Sequence, residues 1–380
     1  MRVKLGDVCE RGTSNLKLSD VSEKNGEFSV FGASGYIGSV DFYQQGYPYV
    51  AVVKDGAGIG RAMLCPGKTS VIGTMQYLLP KDNILPKYLF YVVKYMNLEK
   101  YFTGATIPHI YFKDYKNEEF NFDFWERQVE IVSVLSKCEK VIDLCKQELQ
   151  LLDKLIKARF VELFGDPVSN SYGLPEATLP DLGEFGRGVS KHRPRNDIKL
   201  LGGKYPLIQT GDVANAGLYI TSYSSTYSEL GLKQSKMWDK GTLCITIAAN
   251  IAKTAILEFD ACFPDSVVGF IANERTNNIF VHYWFSFFQA ILESQAPESA
   301  QKNINLKILS ELKVIVPEKR KQDQFASFVK LTDKSGFVER FPEFSLFYRL
   351  FSPLDSEMIC IFPYFYPCEE SAREIREIFI

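Results

Sequence analysis

The sequence predicts an α+β protein: two similar domains of mixed or antiparallel sheet with helices, joined by a long coiled-coil-forming helix. Three observations predict it. A heptad pattern of apolar residues runs unbroken through the middle of the chain, and the segments on either side repeat one another weakly. The length of 380 residues suits two or three domains at roughly 150 residues each.

The heptad segment extends from about Trp125 to Phe164. Apolar residues fall at Ile131, Leu135, Cys138, Ile142, Cys145, Leu149, Leu152, Ile156 and Leu163, and from Leu135 to Ile156 the steps alternate between three and four. That alternation draws one seam along a helix, with Lys, Glu, Asp and Gln on its other faces. No Pro or Gly interrupts it. Phe164-Gly165-Asp166-Pro167 stops it, Gly by permitting a left-handed turn and Pro by preventing continuation. Forty helical residues span about 60 Å at roughly 1.5 Å each. A helix of that length with a narrow seam needs a partner helix. A core helix of one large domain is the competing reading, and the strict spacing argues against it.

The repeat has an offset near 195 residues. Lys4-Leu-Gly-Asp-Val opens the first half and Leu179-Pro-Asp-Leu-Gly the second. Tyr49-Val-Ala-Val-Val-Lys-Asp-Gly-Ala-Gly-Ile-Gly answers to Leu243-Cys-Ile-Thr-Ile-Ala-Ala-Asn-Ile-Ala-Lys, both apolar strands running into small-residue turns. Ser70-Val-Ile-Gly answers to Ser266-Val-Val-Gly, and Thr103–Ile110 to Glu298–Ile304. Phe124-Trp-Glu-Arg-Gln answers to Glu318-Lys-Arg-Lys-Gln. Each half is thus strand-rich, with an apolar helix (86–99; 279–293), more strand, and a second helix start. Such a chain grips an extended object at two places.

Composition closes off several classes. Apolar residues at 46% and charged residues at 24% exclude wholesale disorder. The eight cysteines (Cys9, Cys65, Cys138, Cys145, Cys244, Cys262, Cys360, Cys368) form no C-x-x-C pair, so neither a zinc cluster nor a disulfide framework is expected. The N-terminus lacks a signal-peptide h-region and no run approaches 18 apolar residues. A reduced, cytoplasmic setting is the expectation, with no membrane association.

The order of these pieces resembles the specificity subunit of type I restriction–modification systems, over about residues 1–330. The residues carrying the resemblance are Lys157-Ala-Arg-Phe-Val-Glu-Leu-Phe-Gly-Asp-Pro167, Tyr205-Pro-Leu-Ile-Gln-Thr-Gly-Asp-Val213, Gly231-Leu-Lys-Gln-Ser-Lys236 and Lys240-Gly-Thr-Leu-Cys-Ile-Thr-Ile-Ala. No single motif is diagnostic; their order, the repetition and the heptad helix are jointly so. The resemblance implies target-recognition domains at 1–124 and 166–316, each reading half of a split, asymmetric DNA target. It implies a spacer helix at 125–165 and the start of a second at 317–334, the two pairing antiparallel, setting the gap between half-sites and docking methyltransferase subunits. Restriction subunits attach through these. It implies no cofactor in this chain, with S-adenosylmethionine, ATP and magnesium in the partner subunits. Half-sites on one face of a duplex lie roughly 34 Å apart, within the reach of the helix.

The residues suggest where double-stranded DNA is touched. Arg187, Lys191, Arg193, Arg195, Lys199 and Lys204 stand against one local acid, Asp197, in a Gly- and Pro-marked stretch that also holds His192. Phosphates attract such a loop, and Arg forks also suit guanine edges. A solvated charge run is the alternative. The repeat-matched loops offer Thr106 and His109 in the first half and Gln301, Lys302 and Asn303 in the second, although Ser and Thr there also suit helix caps. Gln209 and Thr210 fall where the family has a strand-to-loop junction, and Asp212 there more naturally holds the turn. Lys54, Arg61 and Lys68 surround Asp55-Gly-Ala-Gly-Ile-Gly60, which lacks the third Gly of a dinucleotide fingerprint; Gly67-Lys68-Thr69 lacks the earlier Gly of a P-loop. These read as a turn with phosphate-facing cations. Nothing stands out as catalytic: His109, His192 and His282 lie in unrelated contexts, His282 in a helix, and the Asn-Pro-Pro-Tyr motif of adenine methyltransferases is absent.

From about Leu331 the resemblance fails. Pro342, Pro353, Pro363 and Pro367 forbid a long helix, and 335–380 forms an atypical aromatic tail with four Arg against eight acids. Removing that segment turns the chain's net charge of -2 into +2 for residues 1–334, so near-neutrality is no argument against DNA. A coiled-coil scaffold, or a truncated or inactive subunit that no longer reads DNA, is the rival reading.

Overall fold

The computed structural model describes residues 1–21, 26–104, 108–195, 197–248, 250–295, 304 and 306–332. The expected atypical tail lies outside these residues, as do Thr106, Gln301, Lys302 and Asn303. Two compact units are present, divided at residues 144 and 145.

The first unit opens with β1 (Arg2–Lys4), α1 (Leu5–Val8), β2 (Cys9–Thr13), β3 (Phe28–Gly32) and β4 (Gly35–Val40). Next come β5 (Tyr49–Val53), β6 (Ala62–Cys65), β7 (Ser70–Val71) and β8 (Met75–Pro80), then α2 (Pro86–Tyr95), α3 (Phe112–Tyr115) and β9 (Glu119–Asn121). A four-stranded sheet has the order β2-β8-β5-β6, a three-stranded one β4-β3-β7, and β1 pairs with β9. Strand β5, Tyr-Val-Ala-Val-Val, is buried along its whole length. A continuous run of β-branched and aromatic residues suits a strand covered on both faces. Helix α2 starts on Pro86, where the missing N–H costs nothing, and lays Tyr88, Leu89, Val92 and Val93 into the core.

Helix α4 (Trp125–Phe164) is continuous over 40 residues. Ile131 and Leu135 on its first turns join the core of the first unit, and Ile156, Phe160 and Phe164 on its last turns join that of the second. Between them the seam residues Cys138, Ile142, Cys145, Leu149 and Leu152 are half-buried. A flanking set, Val134, Val141, Leu144, Leu151 and Leu155, is 40% to 63% exposed, so the apolar surface is broader than a single narrow seam. Gly165 ends the helix at φ +75°, and a Cβ there would sit 2.5 Å from Ser171 Oγ. Both the left-handed turn and the crowding require glycine. Asp166 then accepts hydrogen bonds from Val168 N (3.0 Å) and Ser169 Oγ (2.8 Å), acting as the terminator the sequence suggests.

The second unit continues with β10 (Glu176–Ala177), α5 (Leu179–Leu182), β11 (Gly183–Arg187), β12 (Leu201–Leu207), α6 (Thr210–Asn215), β13 (Tyr219–Ile220) and β14 (Ser225–Tyr227). Then follow α7 (Glu229–Lys233), β15 (Met237–Trp238), β16 (Leu243–Thr246), β17 (Thr254–Leu257), β18 (Ala261–Cys262) and β19 (Val267–Ala272). Helices α8 (Asn278–Gln295) and α9 (Leu306–Glu311), strand β20 (Val314–Ile315) and helix α10 (Lys319–Leu331) complete it. The sheets are β11-β19-β16-β17-β13, β14-β12-β18-β15 and β10-β20. At the core, Phe160 has its ring 4.9 to 5.3 Å from those of Phe164, Phe280, Phe287 and Phe325. Helix α10 thereby packs on the end of α4, and residues 333–334 of the expected second-helix start fall outside the described residues.

The backbone makes the internal repeat explicit. Order β11-β19-β16-β17 reproduces β2-β8-β5-β6, and β12, antiparallel to β14 and parallel to β18, reproduces β3 with β4 and β7. Gln128 and Gln322, matched in sequence, are both fully buried at helix starts. Gln128 accepts from Leu85 N (2.9 Å) and donates to the carbonyls of Asn83 and Asp123, both at 3.0 Å. Gln322 accepts from Thr276 Oγ1 (2.8 Å) and donates to those of Arg275 (3.0 Å) and Pro317 (2.8 Å). One match needs correction. Thr74 O accepts from Lys54 N and Ser266 O from Ile247 N, each at 3.0 Å, so Ser266 is the counterpart of Thr74 rather than Ser70. The shared Ser-Val-x-Gly wording is a coincidence of composition, four residues out of register.

Candidate nucleic-acid interface

In the second unit the basic stretch leaves the sheet at the end of β11 and runs beside the β18–β19 turn. Gly188 N donates to Val267 O (2.9 Å) and Val189 N to Phe263 O (3.1 Å). The approach is so close that a Cβ on residue 188 would lie 2.3 Å from the Phe263 carbonyl oxygen. From the other side Gln234, in the Gly231–Lys236 motif, fixes the loop: its carbonyl accepts from Lys191 N (3.4 Å) and its side chain from His192 N (3.0 Å). Ser235 Oγ adds a bond to Val189 O (2.7 Å). The stretch is therefore a shaped loop, not a loose charge run.

Its charges are less free than their sequence suggests. Asp197 is not the sole acid in play, because Asp265, in the β18–β19 turn, pairs with both Arg195 and Arg193 (Nη2 at 3.4 Å). Arg193 Nη1 also donates to the carbonyls of Ser190 (2.6 Å) and His192 (2.9 Å). Lys204 pairs with Glu229 at 3.4 Å, and His192 Nε2 lies 3.2 Å from Asp197. The Lys199 N–H and His192 together hold the Asp197 carboxyl below its usual range. Arg187 and Lys191 are exposed and have no acidic partner among the described residues. Nearby, Lys236 stands 3.6 Å over the Trp238 ring while paired with Glu184 at 2.7 Å.

Gln209 is the exposed N-cap of α6, and Thr210 its half-buried first residue. Asp212 accepts from Gln209 N (2.7 Å) and Ser224 Oγ (3.1 Å), the turn-holding role read from the sequence, and Gln209 Nε2 reaches Ser225 Oγ (3.3 Å).

In the first unit Asp55–Gly60 closes the hairpin between β5 and β6. No helix follows it, so it lacks the strand–loop–helix frame of a nucleotide-binding loop, as its missing glycines indicate. Lys54 and His109 meet here on one acid: Asp55 lies 3.6 Å from Lys54 Nζ and 2.7 Å from His109 Nδ1. Ile110 N donates to Lys54 O (2.9 Å), strapping the 103–110 loop to the hairpin. Arg61 is exposed on the same hairpin, its Nε donating to Gly58 O (3.4 Å). Lys68 is exposed in the separate β6–β7 turn, at φ +57°. The equivalent strap in the second unit is Ile304 N to Ile247 O at 2.9 Å.

Asp55, Gln234 and Asp265 are thus the organising residues that local charge counting misses. Gln234 and Asp55 each stood inside a motif quoted from the sequence, whereas Asp265 had no sequence signal. His282 is half-buried in α8, with Nδ1 2.9 Å from Thr254 Oγ1. Among the described residues no helix is long and apolar enough to cross a membrane, and no cluster of three His, Cys, Asp or Glu is placed to hold a metal.

Comparison with known proteins places this geometry. Residues 1–154 and 176–336 match the type I restriction modification DNA specificity domain. A Methanocaldococcus jannaschii protein assigned as the type I restriction enzyme MjaX specificity subunit is 22% identical over 299 residues, 74% of this chain and 70% of that one. The MjaIX specificity subunit of the same organism is 26% identical over 179 residues, 42% of this chain and 40% of its own. The crystal structure of a type I restriction-modification system S subunit from M. genitalium has the same fold, with a TM-score of 0.58, 16% identity and 96% of both chains covered.

Proposed function

The chain belongs to the type I restriction–modification specificity subunits, and from that premise we propose that it reads a bipartite, asymmetric DNA target and docks methyltransferase subunits, which bring the restriction subunits. One observation carries the reading. Two units share one backbone frame down to equivalent strand registers and buried glutamines, yet present different side chains at the corresponding loops. A common frame with divergent loops suits two readers of two different half-sites, since base contacts specify and phosphate contacts position. On this reading Arg187, Lys191, Gln209 and Thr210 in the second unit, and Lys54, Arg61, Lys68 and His109 in the first, face the duplex; Thr106, Gln301, Lys302 and Asn303, outside the described residues, are further candidates from the sequence. The half-buried middle of the expected seam, Cys138, Ile142, Cys145, Leu149 and Leu152, takes a partner helix, whereas its ends Leu135 and Ile156 are already buried in the cores of the first and second units.

The chain itself performs no chemistry in this proposal. S-adenosylmethionine, ATP and magnesium act in the partner subunits. Mapping methylated adenines across the host genome, with and without the gene, tests it: a split asymmetric motif should vanish on deletion. An unchanged methylation pattern, together with no affinity of the purified chain for duplex DNA, would leave the scaffold reading in place.

A further inference from the structure

We propose that Arg193 and Arg195 form a seat for a DNA phosphodiester, which Asp265 fills when DNA is absent; the proposal rests on the DNA-reading role above. Both guanidiniums converge on one carboxylate, Arg193 on Oδ2 (3.4 Å) and Arg195 on Oδ1. A phosphodiester, like a carboxylate, presents two anionic oxygens to such forks. The Arg193 half of the seat does not depend on Asp265 for its shape. Arg193 Nη1 is anchored by the Ser190 and His192 carbonyls (2.6 and 2.9 Å), and Gln234 holds the loop through His192 N (3.0 Å).

Asp265 is a weakly held occupant. The Arg193, Arg195 and Asp265 side chains are 54%, 45% and 35% exposed, a degree at which ion pairs contribute little and exchange readily. Arg187 and Lys191, exposed on the same loop without acidic partners, add a field that favours a further anion. Exchanging the carboxylate for a phosphate also releases counterions from the duplex, which the internal pair cannot do. Asp265 thus acts as a built-in competitor, lowering affinity for arbitrary DNA while leaving the arginines in place for a duplex that the rest of the surface fits.

The test is fluorescence anisotropy of the full chain with a labelled duplex of arbitrary sequence, across roughly 50 to 300 mM salt. Asp265→Asn should bind roughly three- to tenfold tighter at the low-salt end, with a salt slope steeper by about one. Asp265→Glu should stay near the parent, and Arg193→Gln with Arg195→Gln should abolish the gain. Asp265→Ser serves the same comparison, so the outcome does not hang on one variant folding. If the parent binds DNA and both neutral variants bind no tighter, Asp265 merely orients the arginines and the seat is overturned while DNA reading stands. A gain that survives loss of both arginines overturns it as well. Absence of binding by the parent and by every variant at the lowest salt overturns DNA reading and the seat together.

Discussion

The two units solve the same problem with opposite placements of charge. In the first, an acid sits on the β5–β6 hairpin, where Asp55 gathers Lys54 and His109. The equivalent hairpin of the second unit carries Ala248 and Asn250 and no such pair among the described residues. There the acid has moved to the β18–β19 turn as Asp265, at the position that Gly73 occupies in the first unit. The shared strand order and the buried glutamines are unchanged, although the second unit adds strands β13 and β15 and helices α6 and α7 to the common frame. The cores tolerate no such traffic because a displaced buried group costs more than an exposed ion pair contributes. The loops are therefore free to diverge while the frame is held.

The comparison is best broken at the frame, where effects are largest. Phe160→Ala removes a ring touching four others and should cost about 3–5 kcal/mol in the second unit, against about 2–5 kcal/mol for Leu135→Ala in the first. Urea unfolding followed by hydrogen exchange should place each loss in its own unit; a loss shared equally would deny that the two cores are separate. Gln128→Ala and Gln322→Ala each remove three hydrogen bonds of a fully buried amide and should cost about 1–3 kcal/mol apiece. Unequal costs would show that one latch has been relieved of its task.

Smaller effects sharpen the contrast between loops. Arg187→Gln or Lys191→Gln should weaken binding to an arbitrary duplex roughly two- to fivefold and flatten the salt slope by about one. Arg61→Gln and Lys68→Gln in the first unit should do the same, and anisotropy in which only one unit responds would mean that only one touches the backbone. The smallest effect is a titration. Thr178 donates its hydroxyl (2.6 Å) and N–H (3.1 Å) to Asp181, holding that carboxyl below its usual range. Because the folded value is depressed, this contribution is present above the ordinary carboxylate range and is lost as pH falls through the depressed value. Thr178→Ala should return the Asp181 midpoint upward, read by carbon-detected NMR; an unmoved midpoint would assign the shift to the backbone alone.

How much was legible follows from how local each signal is. The heptad steps from Leu135 to Ile156, the stop at Gly165 and the Gln128–Gln322 correspondence are written in short windows, and so were readable. The hairpin at Asp55–Gly60 was separable from a nucleotide loop by its missing glycines. The pairing of Arg193 and Arg195 with Asp265 joins residues about seventy positions apart, which no charge count over a window can see. The misread Ser70–Ser266 match shows the converse: similar words recur by chance where short strands β7 and β18 carry little pattern. Gln128 looked like one more polar residue on a solvated helix face until its three partners placed it in the interior.

Those partners have a consequence for inheritance. Every group that Gln128 binds lies within residues 83–123, and every group that Gln322 binds lies within 275–317. A genetic crossover within the stretch of α4 encoding Cys138–Leu149, where the side chains are only half-buried, carries each latch away complete with its partners. Gene segments can therefore be exchanged there without orphaning either latch, so that a whole unit is replaced in one step rather than rebuilt residue by residue.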